Sequence, residues 1–264
     1  MFEILVFIFG TIIGSFLNVV ILRYGTGMGL GGRSMCASSG KLLRWFELVP
    51  IVSFLMQKGR SRHTGAKLSW QYPVVELLTG FLFVLSFRYA LELVSIFEIT
   101  NFLVLFVFLI LSSCFLVLIA VYDLRHMIVP NEFVYPFILL AFGSLFISIP
   151  SLSFVLPSGT ALLSGLLVAL PFVLLWLVSK GRWMGFADAK IALAMGWFVG
   201  LSSAFAAVLI SFWLGAIVGL VILFATKKEK RKNLKIPFAP FLLTGLILVV
   251  LYTIDILSFT FLLI

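Results

Sequence analysis

Only ten of the 264 side chains are acidic, and three of those are aspartates: Asp123, Asp188 and Asp255. Asp123 stands in Val121-Tyr122-Asp123-Leu124-Arg125-His126-Met127-Ile128-Val129-Pro130-Asn131, and Asp188 in Gly185-Phe186-Ala187-Asp188-Ala189-Lys190. Each lies at the edge of a long apolar run, where an ionisable group is costly and is a functional candidate by default. Two carboxylates held close together cannot both ionise easily, so one keeps a proton. The charged member can then act as general base on a water while the protonated one donates a hydrogen bond to a carbonyl. That is the chemistry of aspartyl peptide hydrolysis. Spacing alone leaves a plainer alternative open, in which each aspartate only caps or solvates its own helix end.

Other polar residues invite simpler readings. Lys190 follows Asp188 by two positions and so does not share its helix face; it reads as an anchor for lipid or substrate. His126 follows Asp123 by three and reads as an exposed loop histidine within reach of tuning it. Glu76 opens an apolar run, where a carboxylate stabilises a helix N-terminus. Cys36 lies in a polar, basic stretch and Cys114 inside an apolar one, so neither a disulfide framework nor a metal spacing is implied. Gly25-Thr26-Gly27-Met28-Gly29-Leu30-Gly31-Gly32 has no Walker lysine-serine and no strand before it, and reads as a linker.

Composition fixes what must position these groups. Hydrophobic residues make up 62% and charged residues 11%, with a mean hydropathy of +1.24. Soluble domains hold about 45–50% apolar and about 25% charged residues, so a water-soluble globule is excluded. With 29 phenylalanines to bury, disorder and nucleic-acid binding are excluded too. A bilayer core takes about 20 apolar residues per helix. Such runs fall near 2–22, 72–91, 102–122, 133–150, 160–179 and 237–263. The uncharged stretch 191–226 accommodates two short helices with a turn near Gly200-Leu201-Ser202-Ser203, or one tilted helix with a re-entrant piece. The two-helix reading gives an all-α polytopic membrane protein with about eight transmembrane helices. The first run lacks a basic n-region and a small-x-small cleavage site, so it reads as a retained span.

Charge then orients the chain. With eight spans, the segments 23–71, 123–132, 180–190 and 227–236 share one side and hold eighteen of the nineteen Lys and Arg residues, leaving Arg88 for the other. The positive-inside rule makes that side cytoplasmic and sends both termini outward. The net charge of +9 is thus a topology signal. The expected organisation is a first transmembrane helix over 1–22, a cytoplasmic loop domain over 23–71 and a transmembrane bundle over 72–264. In the loop domain Trp45, Phe46, Val49, Ile51, Phe54, Leu55 and Trp70 are expected to pack on one another and on the membrane surface.

Several segments together resemble the type IV prepilin peptidases, membrane aspartyl proteases that process pilin and pseudopilin precursors. They are Gly14-Ser15-Phe16-Leu17-Asn18-Val19-Val20, Leu43-Arg44-Trp45, Pro50-Ile51-Val52-Ser53-Phe54, and Ser69-Trp70-Gln71-Tyr72-Pro73-Val74-Val75-Glu76-Leu77-Leu78. The Asp123 and Asp188 segments and Pro237-Phe238-Ala239-Pro240-Phe241 complete the set. The resemblance implies Asp123 and Asp188 as the catalytic pair, with Gly185, Lys190 and Glu76 as supporting or substrate-binding candidates. It implies prepilin or pseudopilin precursors as substrates, a bacterial inner-membrane location with the site on the cytoplasmic side, and no nucleic acid. It also implies N-methylation of the trimmed product with S-adenosylmethionine, for which Glu76 is a candidate. The competing functions are an inactive relative serving as an assembly scaffold, and a transporter. The latter is disfavoured because spans three to seven carry no charge away from their ends.

Two departures from the family pattern stand out. The second aspartate motif of the family reads Gly-x-Gly-Asp, but here Ala187 precedes Asp188. Alanine tolerates positive φ poorly, so an alanine-compatible backbone is expected. Many members carry two Cys-x-x-Cys pairs in the loop; here the matching stretches are Cys36-Ala37-Ser38-Ser39-Gly40 and Ser61-Arg62-His63-Thr64-Gly65. One thiol and one imidazole do not make a closed tetrahedral site, so zinc is not expected.

Overall fold

The computed structural model describes residues 1–32, 34–35, 40–62, 64–94, 99–148, 152–227 and 235–252. Within them the chain is helical with almost no sheet, and it forms two compact units, Met1–Leu118 and Ile119–Ile264. These units are a partition by packing, whereas the expected limits at 22 and 71 separate segments by membrane position.

In the first unit, α1 (Phe2–Arg23) and α3 (Gln71–Leu93) form an antiparallel pair. Its register is legible from four contacts. The Arg88 guanidinium donates to both carboxylate oxygens of Glu3, at 2.8 and 3.0 Å. A Cβ on Gly10 would fall 2.8 Å from Gly80 Cα, and one on Gly14 would fall 2.9 Å from Glu76 Cα. Asn18 Nδ2 donates to the Tyr72 carbonyl at 3.2 Å. Small residues at the crossing let the backbones approach, which is how helices associate without a hydrophobic driving force.

The connection between α1 and α3 contains a 3₁₀ turn at Trp45–Glu47, the short helix α2 (Val52–Met56) and antiparallel bridges Met35↔Leu42 and Arg60↔Lys67. The expected packing of its apolar residues on one another is present in pairs. Phe54 is buried and lies 4.9 Å from the Trp70 ring, and Trp45 meets Phe46 edge-on at 5.8 Å. Both indoles keep most of their surface exposed, Trp45 at 79% and Trp70 at 71%.

The second unit holds the end of α4 (Ile99–His126), then α5 (Asn131–Ser144), a hairpin of β1 (Ile147–Ser148) with β2 (Ser153–Phe154), α6 (Gly159–Ser179), α7 (Phe186–Val199), α8 (Leu201–Ala225) and α9 (Ala239–Tyr252). Of the helices in both units, α1, α3, α4, α6 and α8 are long and apolar enough to cross a membrane. The other apolar helices, α5, α7 and α9, have 14 residues each within the described ranges.

Two boundaries differ from expectation. The run 133–150 stops being helical at Ser144, and the hairpin takes up its end, because hydropathy alone does not separate a short apolar strand from a helix. The stretch 191–226 is indeed two helices. They break at Gly200, whose φ of +80° suits glycine, but the first starts at 186, so Asp188 and Lys190 stand inside it rather than before it. The last run is described only to Tyr252, so Asp255 lies outside the described residues.

Helix α7 is the hub of the second unit, packing against α5, α6, α8 and α9. Its inner residues are mostly small: Ala189, Ala192, Ala194 and Gly196 are buried. A Cβ on Gly196 would lie 2.6 Å from Gly165 Cα in α6. Ser164 Oγ donates to the Gly196 carbonyl at 2.8 Å, and Trp197 Nε1 to the Leu162 carbonyl at 3.0 Å. These bonds satisfy polar groups that lipid could not.

Candidate active site

Asp123 occupies the last turn of α4. That helix ends because Met127 takes a left-handed backbone, φ +54°, while its N–H donates to the Asp123 carbonyl at 2.8 Å. The side chain turns inward and is 6% exposed. Its Oδ2 accepts a hydrogen bond from the backbone N–H of Ala239 at 3.1 Å. Ala239 is the first residue of α9, so this N–H is one of the donors that a helix start leaves without an internal partner. The carboxylate therefore lies at the positive end of a helix. Residue-by-residue reasoning did not single out Ala239. The available signal was Pro237 and Pro240, which mark a helix start and leave Phe238 and Ala239 as the backbone donors between them.

Asp188 is the third residue of α7, in the polar stretch 180–190 that precedes the apolar run. It is 8% exposed, and its N–H donates to the Gly185 carbonyl at 3.2 Å. Burial pushes its carboxyl up to about 7, and the charge of Asp123 adds to the rise against a backbone hydrogen bond from Gly185. Asp123 is thus near enough for its charge to be felt at Asp188, although the two are 65 positions apart in sequence.

The residues around Asp188 have distinct positions. Gly185 is the N-cap, with φ −74° and ψ 147°, a conformation open to any residue; a Cβ there would approach Asp188 Oδ2 to 3.8 Å. Ala187 lies in the first helical turn, so the expected alanine-compatible backbone is what the chain has. Lys190 is turned toward α5: its Nζ donates to Asn131 Oδ1 at 2.6 Å and to Tyr135 Oη at 3.2 Å. His126 is exposed as expected, but it ends α4 rather than lying in a loop, and its ring stacks 4.4 Å from Tyr122.

Glu76 belongs to the first unit. It is buried, accepts the Ile51 N–H at Oε2 over 2.7 Å, and is hydrogen-bonded to the Ser15 side chain. Ile51 has φ +62°, which is costly for a β-branched residue, and the Glu76 carboxylate holds it there. Cys36 and His63 lie outside the described residues. Among the described residues no three His, Cys, Asp or Glu side chains cluster to hold a metal.

Residues 8–90 match the bacterial peptidase A24 N-terminal domain, and residues 109–220 match the type IV leader peptidase family. A prepilin leader peptidase/N-methyltransferase of Xanthomonas campestris is 33% identical over 88% of this chain and 85% of its own length. One of Bacillus subtilis is 32% identical over 97% of this chain and 96% of its own. A third, of Vibrio cholerae, is 28% identical over 93% and 95% respectively. No solved structure matches the chain. The two buried aspartates, the apolar helices that carry them and these similarities over most of the chain agree: the chain belongs to the type IV leader peptidase family.

Proposed function

We propose that this protein is an aspartyl endopeptidase that removes the leader from type IV prepilin-like precursors, with Asp123 and Asp188 as its catalytic pair. The observation that carries the reading is the burial of both carboxylates in one helical unit, with the charge of one felt by the other. The proton is assigned to Asp188, whose carboxyl burial pushes up to about 7, and Asp123 then serves as the base. Asp123 takes a proton from water, and the water oxygen attacks the scissile carbonyl carbon. The Asp188 O–H donates to the carbonyl oxygen as negative charge develops there. Collapse of the tetrahedral intermediate breaks the C–N bond, and the proton held by Asp123 passes to the leaving amine. Gly185 keeps the approach to the Asp188 carboxyl free of a side chain.

The substrates are prepilin or pseudopilin precursors with a short basic leader, a small residue at the cut and then an apolar helix that enters the bilayer. The protein is a multi-pass protein of the bacterial inner membrane with both termini outside and the site on the cytoplasmic face. The one-sided distribution of its cations supports this. Residues 23–71 form the cytoplasmic loop domain and 72–264 the peptidase bundle.

N-methylation of the new N-terminus, with S-adenosylmethionine as methyl donor, is the second activity, supported by the names of the relatives. The Glu76 carboxylate is engaged by Ile51 and Ser15, so it shapes the loop. It does not present itself to a sulfonium, and no methyl-transfer step runs through it. The remaining thiol and imidazole of the loop do not fit a zinc site.

The test is purified protein in detergent with a prepilin-type precursor, read by mass spectrometry of the products. A leader-sized mass loss supports the peptidase, and a further methyl increment with S-adenosylmethionine supports the second activity. An unchanged precursor would overturn the reading.

A further inference from the structure

Lys190 is engaged on several sides by polar and aromatic groups of its own unit. Its Nζ donates to Asn131 Oδ1 at 2.6 Å and to Tyr135 Oη at 3.2 Å. It also lies 4.8 Å from the Tyr135 ring centre and 5.5 Å from that of Phe186. A charge-assisted bond of this length is among the stronger hydrogen bonds, and the two ring faces add cation–π attraction.

The placement matters because of where the two ends of this link lie. At about 100° per residue, Lys190 points away from Asp188, so it does not pair with that carboxyl. Instead it joins α7, one residue past the first turn that carries Asp188, to α5 at its first residue Asn131 and at Tyr135. Asn131 follows Asp123 by eight positions, across the left-handed Met127 and the fixed φ of Pro130. The first turn of a helix is the part that frays. Asp188 stands in that turn, and Lys190, just beyond it, ties the start of α7 to the segment leading directly from Asp123.

We propose that Lys190 is a positioning residue for the peptidase reaction, holding the start of α7 against Asn131 and Tyr135 of α5 so that Asp188 stays aligned with Asp123. The proposal rests on the reading of those two aspartates as the catalytic pair. It replaces the expectation that Lys190 binds lipid or substrate.

Steady-state cleavage of a prepilin-type precursor by the full chain in detergent tests it, using Lys190→Met, Lys190→Arg, Asn131→Ala and the double variant K190M/N131A. A loss of alignment of about 1 Å costs on the order of 100-fold in rate. Lys190→Met should therefore lower kcat on the order of 10- to 100-fold with KM within about twofold, and Lys190→Arg should restore most of the loss. Asn131→Ala should lower kcat as well, and the double variant should be no slower than Lys190→Met, because both changes break one link. A wild-type kcat in Lys190→Met would overturn the proposal. So would a raised KM with unchanged kcat, which marks substrate binding, or additive losses in the double variant. If Lys190→Met does not fold, Asn131→Ala decides alone, and an unchanged kcat there overturns the proposal. Asp188→Asn run in parallel separates the two ideas. Its retained activity defeats the catalytic reading, whereas its inactivity beside a fully active Lys190→Met defeats only the role of Lys190.

Discussion

Asp123 Oδ2 and the backbone N–H of Ala239 meet at 3.1 Å across 116 positions of sequence. The contact joins the end of one helix to the start of another, and through it the last helix of the second unit takes part in holding the candidate base. The same contact explains why a short proline-bracketed segment far from either aspartate resembles the family.

The first prediction is loss of cleavage in Asp123→Asn and Asp188→Asn, each by at least about a thousandfold, with the double variant no worse. Groups that act as a unit are non-additive in this way. Asparagine is nearly isosteric and removes a buried charge, so both variants should stay folded in detergent. Mass spectrometry of the precursor after extended incubation measures the residual rate, and substantial turnover by either variant would refute the assignment.

pH dependence follows from the raised carboxyl of Asp188. Cleavage needs this group protonated, so kcat/KM should fall as the pH rises through about 7. Stability carries the same sign. The folded chain binds this proton more tightly than the unfolded chain does, so the stabilisation is full below the ordinary carboxylate range and is lost as pH rises through about 7. Asp188→Asn stays neutral throughout and should lose less thermal stability than the parent between pH 5 and pH 8. An identical drop in both proteins would contradict this.

A third prediction concerns the α6–α7 crossing. A Cβ on Gly196 would lie 2.6 Å from Gly165 Cα, so Gly196→Val must force the helices apart. Overpacking of this kind costs about 1–3 kcal/mol, and here it also displaces the helix that carries Asp188. Both the unfolding temperature and kcat should fall; a variant as stable and active as the parent would show the crossing to be looser than described.

For Glu76→Ala, the expected effect is local. Ile51 loses the acceptor that holds its left-handed backbone, and the 51–56 segment should be cut faster in limited proteolysis of the purified protein. Leader removal should stay within about threefold, a modest effect for a change outside the aspartate-bearing unit. Unaltered proteolysis at 51–56 would show that the carboxylate is not the strut.

Metal removal should be without consequence. One thiol and one imidazole leave a tetrahedral site half-made, so metal binding adds no folding free energy here. A chelator should change neither unfolding nor cleavage, and Cys36→Ser should be silent. Stoichiometric zinc by elemental analysis, or zinc-restored activity after chelation, would show otherwise.

The sequence made some of this visible and hid the rest for physical reasons. Apolar runs and one-sided cations displayed the helical membrane class, because lipid imposes length and charge directly on the chain. Gly200 announced the break between α7 and α8. Hydropathy did not reveal that α7 starts five residues early, since Asp188 and Lys190 are polar residues inside an otherwise apolar helix. Nor did it show the end of α5 at Ser144. Contacts set by tertiary packing, such as Asn131 on Lys190 and Ile51 on Glu76, leave no local pattern at all.

The position of α7 among α5, α6, α8 and α9 sets where this unit can drift over evolutionary time. Ala189, Ala192, Ala194 and Gly196 meet neighbours on several sides, so almost any enlargement there is transmitted to Asp188. The outer faces of α6 and α8 bear Leu163, Leu166, Leu174, Trp213 and Val221 in exposed positions, where one lipid-compatible side chain substitutes for another at little cost. Among relatives, variation should therefore gather on those outer faces and thin out along α7. A redesign of substrate preference is therefore better placed on those outer faces than on α7.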